Sequence, residues 1–272
     1  MYSVSRLITA CLVVGAATIA LAQPNELRVC ADSNNLPFSN KQRQGFENKL
    51  AEMVARDLGR HLEFVWWPHS PMRAARIFRA GICDLVMAVP TSDHMATTTR
   101  FYYRSSYVFV TRADRNLVLR SFDDPKLRNL RIGLPVVADG FTPAERELAQ
   151  RGMIRNVVGY SVFGDFSKPN PPADLIRAVA RGTIDVAVAW GPLAGYFAKN
   201  SAVPLRVTPI CPSSEPVAPL TFSISMGVQP GDTAFAKRLD SEIARRHNEI
   251  GNLLRSYGVP VVDAASEARS CQ

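Results

Sequence analysis

GICDLVMAVPTSDHMATTTRFYYRSSYVFVTR, Gly81 to Arg112, decides how this chain is read. Cys83 to Val89 is an apolar run too short for a helix and bounded by Gly81 and Pro90. It predicts a strand buried on both faces, as in a parallel sheet. Thr91, Ser92, Asp93 and the run Thr97-Thr98-Thr99 have the composition of a loop. Tyr107 to Thr111 is β-branched and aromatic, and predicts a strand that carries the chain out of one lobe and into another.

Toward the N-terminus, Leu27 to Ala31 reads as a strand followed by a polar loop, Asp32-Ser33-Asn34-Asn35-Leu36-Pro37-Phe38. Between Gly45 and Gly59, Phe46, Leu50, Met53, Val54 and Leu58 recur at three and four residues, one stripe of a helix that Gly59 closes. Leu62 to Trp67 is a second strand, and Ala74 to Ala80 a helix closed by Gly81. The order β-α-β-α-β implies parallel strands with right-handed crossovers. Ligands of such sheets sit beyond the carboxyl ends of the strands. Those ends carry Asp32, Asn34, Asn35 and Phe38, then Trp67, then Pro90 with Thr91 and Ser92, so the expected cleft is polar and aromatic together.

Toward the C-terminus the alternation repeats. Leu130 to Leu134 is a strand, Pro143 to Arg151 a helix with Thr142 as N-cap, Asn156 to Tyr160 a strand, and Ala173 to Arg181 a helix ended by Gly182. Ile184 to Ala189 is a buried strand leading to Trp190-Gly191-Pro192, and Leu205 to Ile210 another strand. Leu220 to Val228 alternates and returns the chain to the first lobe. Thr233 to Tyr257 reads as one charged amphipathic helix with Arg245 and Arg246 on a solvated face. Two crossings make a hinge. The fold class is α/β, with two lobes: 23–110 with 222–272, and 111–221.

Residues 1–22 read as an export signal: Arg6, an apolar run from Leu7 to Ala22, and a small-residue end, with cleavage before Gln23. The run is about 16 residues, short for a membrane span, so no stable membrane insertion is expected. Four cysteines then remain, Cys30, Cys83, Cys211 and Cys271, with no CxxC and no histidine at metal spacing. In an oxidising compartment that favours two disulfides. Of three connectivities, Cys30–Cys83 is the local choice if their strands are neighbours, leaving Cys211–Cys271 to tie the tail to the second lobe. Stagger opposes the first pair, since Cys30 lies late in its strand and Cys83 starts its own. Free buried thiols are the alternative.

With 47% apolar and 21% charged residues the chain is globular. Its net charge of +8 favours acidic partners, but no basic run carries interleaved aromatics, which argues against nucleic acid. No GxSxG, HExxH, GxGxxG or P-loop is present, and His61, His69, His94 and His247 form no ligand pair, so neither an enzyme nor a metal site is expected.

Leu27-Arg28-Val29 with Pro37-Phe38, Gly45-Phe46-Glu47 leading to Leu50-Ala51 and Leu58-Gly59, Gly81 with Cys83-Asp84-Leu85-Val86-Met87, and Tyr102-Tyr103 resemble the type 2 periplasmic solute-binding proteins of ABC importers over nearly the whole mature chain. The resemblance implies a bilobal fold with a ligand cleft at the hinge. Val29-Cys30-Ala31-Asp32 with Asn35-Leu36-Pro37-Phe38-Ser39, Gly45-Phe46-Glu47-Asn48-Lys49, Trp66-Trp67-Pro68, Thr98-Thr99-Arg100, the run Tyr102 to Val110, Asn156 to Tyr160, Trp190-Gly191-Pro192 with Gly195-Tyr196-Phe197, and Ile224 to Val228 resemble a narrower branch, the MxaJ/XoxJ-like proteins associated with quinoprotein dehydrogenases. That branch implies a periplasmic accessory, without a cofactor of its own, of a calcium- or lanthanide-type quinoprotein methanol dehydrogenase, with the dehydrogenase's cytochrome c as a further partner.

Amino-acid binders of this fold carry an arginine after the third strand of the first lobe to hold the ligand carboxylate, and an acid after the later strand of the second. Here those stretches read Ser92-Asp93-His94 and Trp190-Gly191-Pro192; Arg73, Arg100 and Arg104 are possible substitutes. The cleft residues expected to meet a partner are Asp32, Asn34, Asn35, Phe38, Trp67, Tyr102, Tyr103, Tyr107 and Trp190. Duller roles stand beside these: an Asx turn for Asp32 and hinge packing for the tyrosines. An importer receptor for a small solute is the alternative function. A lyase acting through Asp32 or Glu47 is a third, although Glu47 begins a helix, where the dipole favours any acid.

Overall fold

Alternation of buried and exposed side chains builds the first strands, and strand ends then place the site. The computed structural model describes residues 25–67, 76, 78–136, 141–161, 168–212, 215–263 and 271. The export signal with its cleavage point lies outside these, as do His69, Arg73 and the start of the helix expected over Ala74 to Ala80. Arg76, Phe78 and Arg79 are helical.

In the first lobe the elements are β1 (Glu26–Asp32), β2 (Asn34–Asn35), β3 (Ser39–Asn40), α1 (Phe46–Leu58), β4 (His61–Trp67), β5 (Leu85–Pro90) and β6 (Thr97–Arg112). The chain continues through β7 (Ile132–Val136), α2 (Pro143–Gln150), β8 (Val157–Ser161), α3 (Ala173–Arg181), β9 (Val186–Trp190), α4 (Gly191–Lys199) and β10 (Leu205–Pro209). It ends with β11 (Thr221–Val228), α5 (Thr233–Arg245) and α6 (His247–Ser256). Among the described residues the sheet order is β4-β1-β5-β11-β6-β9-β7-β8, with β10 also paired to β6. β1 lies parallel to both β4 and β5, and β7 parallel to both β8 and β9, as the alternation of strands and helices requires.

β6 joins the two halves. Its first part runs antiparallel to β11, and its last part antiparallel to β9 and β10. Side chains alternate along it: Val108 and Val110 enter a core with Leu175, Val179 and Leu193, while Phe109 enters another with Phe122, Leu127 and Leu148. The first lobe has its own core around Phe46, Leu50, Leu85, Met87, Met226, Leu239 and Leu254. The α1 stripe is buried as the spacing predicts, and Gly59 closes the helix in the left-handed region at φ 63°. Thr142 caps α2 reciprocally with Glu145.

Three expectations are corrected, and one helix that the sequence reading did not name is added. The third strand begins at Leu85, after bends at Ile82 and Asp84, because Asp84 is drawn aside by Arg28: the Arg28 amide donates to Oδ2 at 2.9 Å and its guanidinium to Oδ1 at 2.6 Å. Thr97-Thr98-Thr99 is not loop but the start of β6, where β-branched threonines fit a strand whose partner, β11, arrives from far along the chain. Gly191 to Lys199 is a helix, with Pro192 in the first turn, where its missing N–H costs nothing.

The final helix is two helices. At Arg246 the backbone reaches φ −96°, ψ 10°, and Arg246 turns to Asp57 of α1 at 2.6 Å, half-buried, while Arg245 reaches the same carboxylate at 2.8 Å from a side chain that stays 52% exposed. Hydrogen bonding to Arg246 is the main reason that the buried Asp57 carboxyl titrates below its usual range.

Both disulfides form in the pairing given above, Cys30–Cys83 with Cα atoms 5.6 Å apart and Cys211–Cys271 at 5.4 Å. The bend at Ile82 to Asp84 removes the stagger that opposed the first pair. The tail also adds a third link across the hinge. Beyond α6 the Ser105 hydroxyl donates to the Pro260 carbonyl at 2.7 Å, the Val262 amide donates to the Arg104 carbonyl at 2.9 Å, and Cys271 closes onto Cys211.

Candidate functional site

The carboxyl ends of β1 and β4 point at the second lobe, and between the lobes lies a cavity of about 310 Å³. The first lobe contributes Asp32, Asn35, Phe38, Ser39, Glu47 and Trp67; the second contributes Pro135, Thr142, Leu175, Ala189, Trp190 and Leu193, with Tyr107 from β6. Six of the nine expected residues therefore meet here: Asp32, Asn35, Phe38, Trp67, Tyr107 and Trp190.

Each is held by its element. Asp32 ends β1 and is only 6% exposed; its carboxylate accepts the Asn34 amide at 2.7 Å, so the Asx turn and the cleft position are both real. Trp67 ends β4 and packs on Cys30, Cys83 and Phe78, whereas Trp66 points the other way and stacks on Phe64 at 5.0 Å. Tyr107 and Trp190 face each other across β6 and β9, with ring centroids 5.6 Å apart, and Phe222 closes edge-on at 5.8 Å. Burial, with a smaller contribution from Glu145, pushes the Tyr107 hydroxyl up to about 12, so it stays a neutral hydrogen-bonding group.

Three expected residues do not line the cavity. Tyr102 and Tyr103 belong to the core of the first lobe, 7% and 3% exposed, because this stretch of β6 lies between α1 and β11. The Tyr102 hydroxyl donates to the Met87 carbonyl at 2.7 Å, and Tyr103 accepts from the Trp190 indole, fixing that ring from behind. Asn34 sits at the rim and spans the lobes: its amide donates to the Lys168 carbonyl at 2.8 Å, and its carbonyl accepts the Asn170 amide at 2.9 Å.

Asn34→Ala removes both bonds, each worth about 1 kcal/mol. The expected result is a measurably larger radius of gyration in small-angle scattering, with Tm lowered by roughly 4–8 °C. An unchanged radius would show that the rim does not hold the lobes together.

Glu47 is the residue that sequence reading undervalued. It stands on the first turn of α1, where an acid is ordinary, but the fold brings that turn against the end of β1, and its amide donates to the Phe38 carbonyl at 3.0 Å. Burial first, and the neighbouring Asp32 second, push its carboxyl up to about 8. The available signal was Gly-Phe-Glu placed just after the proline-containing loop that follows β1.

Among the described residues, no arginine or lysine lines the cavity. Arg100 and Arg104 are not among them, and Arg73 lies outside the described residues. The cleft thus offers apolar and aromatic walls, a few neutral polar groups and two carboxyls. Among the described residues no group of three or more His, Cys, Asp or Glu could hold a metal ion, and no helix is long and apolar enough to cross a membrane.

Comparison with known proteins agrees with this architecture. The family model for bacterial extracellular solute-binding proteins, family 3, matches residues 27–258. Protein MoxJ of Methylorubrum extorquens strain AM1 is 33% identical over 266 residues, covering 92% of this chain and 86% of the relative. The crystal structure of periplasmic binding protein XoxJ from Methylobacterium extorquens AM1 superposes with a TM-score of 0.71 at 34% identity, covering 87% of this chain and 99% of that one. MxaJ from Methlophaga aminisulfidivorans MPT gives 0.75 at 27% identity, covering 87% and 100%.

Proposed function

This chain belongs to family 3 of the bacterial extracellular solute-binding proteins and, within it, to the MxaJ/XoxJ-like group, and on that premise we propose that it is a periplasmic accessory protein of a pyrroloquinoline-quinone methanol dehydrogenase. It binds the dehydrogenase and assists its maturation or activation, with a segment of the immature enzyme entering the cleft. The observation that carries this reading is the lining of the cleft. Phe38, Trp67, Tyr107 and Trp190 present aromatic surface, while among the described residues no guanidinium or ammonium lines the cleft to clamp an amino acid's carboxylate. Aromatic anchors of this kind dominate protein interfaces. The dehydrogenase's cytochrome c is a second partner on the same reading.

The test is light-scattering chromatography of the mature protein mixed with the apo and holo forms of the quinoprotein methanol dehydrogenase from the same source. Co-elution is expected, more strongly with the apo form, and Trp190→Ala should weaken it at least tenfold, as loss of a buried tryptophan anchor does. A volume near 310 Å³ also suits a small molecule, which favours the importer-receptor reading as the second. No complex with either form, alongside a clear thermal shift with a small solute, would leave that reading standing.

A further inference from the structure

The geometry points to the outer edge of β8 as a docking strand, to which an extended, acidic segment of the partner protein adds itself. This edge lies outside the cleft, and its partner is the dehydrogenase named above, so the accessory reading underlies it.

β8 ends the sheet on the side of the second lobe, and among the described residues no strand pairs with its far edge. One bond sets the phase of its backbone: the Ile132 amide donates to the Asn156 carbonyl at 2.9 Å. In a parallel pair the N–H and C=O of one residue point the same way, and the direction alternates along the strand. Asn156, Val158 and Tyr160 therefore face β7, while Val157 and Gly159 turn both groups outward. An unpaired row of this kind is a template for another strand.

Edges are ordinarily blunted by charge, proline or a bulge. β4, at the opposite end of the sheet, exposes His61 and Glu63. β8, Val157-Val158-Gly159-Tyr160-Ser161, has no charge and no proline, and its register with β7 runs without a break. At its centre Gly159 has no side chain to hold a second backbone away.

Apolar surface gathers at the same corner. Ten large hydrophobic side chains stand exposed among the described residues, and four of them belong here: Val136 at the end of β7, Phe141 ahead of α2, Ile154 just before β8, and Val158 within it. Phe141 is 73% exposed and Ile154 66%. Clusters of this kind mark interaction surfaces. The corner is continuous with the cleft as well, since Val136 follows Pro135 and Phe141 precedes Thr142, and both of those neighbours line the cavity. A segment that leaves the cleft over this lip reaches the β8 edge next.

Charge selects the occupant. The chain carries +8, so a second copy approaching edge to edge is repelled, while an acidic chain is drawn in. Arg155 stands exposed directly before β8 and forms no ion pair among the described residues, which leaves it to meet an acid flanking the added strand.

The test is residue-resolved hydrogen–deuterium exchange on the full mature chain, alone and with the apo form of the quinoprotein methanol dehydrogenase from the same source. The Val157 and Gly159 amides should exchange fast in the free protein and at least about tenfold more slowly in the complex, whereas Val158 and Tyr160, already bonded to β7, are slow in both. Val158→Glu changes an exposed side chain, so it should keep Tm and yet weaken dehydrogenase binding at least about tenfold by setting like charges together. Arg155→Ala should flatten the fall of affinity with added salt.

A complex in which the Val157 and Gly159 amides stay fast and Val158→Glu binds as tightly as the wild type overturns the docking edge and leaves the accessory reading standing. No complex with the dehydrogenase overturns both. Slow Val157 and Gly159 amides in the protein alone, together with a dimer mass in light scattering that Val158→Glu abolishes, would identify a second copy as the occupant and overturn the acidic partner.

Discussion

Replacing Cys30 and Cys83 together by alanine is expected to cost about 4 kcal/mol, the loop-entropy value for a closed segment of this length, and to lower Tm by roughly 8–16 °C. The bridge spans a sequence separation of 53 residues, and both cysteines are almost completely buried, at 3% and 0% exposure. It also supports Trp67, which packs on both sulfurs' residues with Phe78 at the mouth of the cleft. Loss of the bridge should therefore lower partner affinity as well as stability. The second bridge offers an internal control, because its separation of 60 residues gives nearly the same entropic figure while Cys271 lies exposed at the tail. Thermal scans of the two double variants separate loop closure from packing. A loss below about 1 kcal/mol at Cys30–Cys83 would show that the surrounding cluster, and not the cross-link, holds this corner.

Gly45→Ala is expected to cost about 3 kcal/mol, the upper end of ordinary overpacking, and to remove binding in the cleft. Gly45 has φ −77° and ψ 156°, which any residue adopts, so conformational freedom is not what requires glycine here. Space is. A Cβ would overlap the carbonyl oxygen and carbon of Phe38 and the amide of Ser39, all backbone atoms that cannot swing aside. That same carbonyl accepts the Glu47 amide, and the loop around it presents Asn35 and Phe38 to the cavity. Moving the loop to admit a methyl group displaces one wall of the cleft and the start of α1 at once. Measurement of Tm together with dehydrogenase binding checks this. A variant that keeps wild-type Tm and binding would show that the close approach has slack.

Much of the architecture was legible because it rests on local periodicity. The stripe Phe46, Leu50, Met53, Val54 and Leu58, the Thr142-Pro143 helix start, and the alternating strand ending at Val228 each state their structure within one short window. The same windows place strand ends, and so they place Asp32, Trp67 and Trp190 at the cleft. Cysteine pairing was legible only as a preference among three, since register across strands is invisible in the chain order.

What failed did so where the deciding partner is distant. Arg246 breaks the last helix for a carboxylate 189 positions away. Tyr103 becomes core because α1 covers it, and Asn34 becomes an interlobe clasp only once residues 168 and 170 fold over it. Glu47 is the clearest case. By itself it is an acid on a helix's first turn, ordinary and solvated. Alternation, caps and apolar spacing were enough to specify two α/β lobes and the strand ends between them, because each acts over one or two turns of chain. Only the tertiary structure could seat Glu47 beside Asp32 in the cavity between the lobes, because desolvation and charge proximity depend on distance in space, and sequence records only order along the chain.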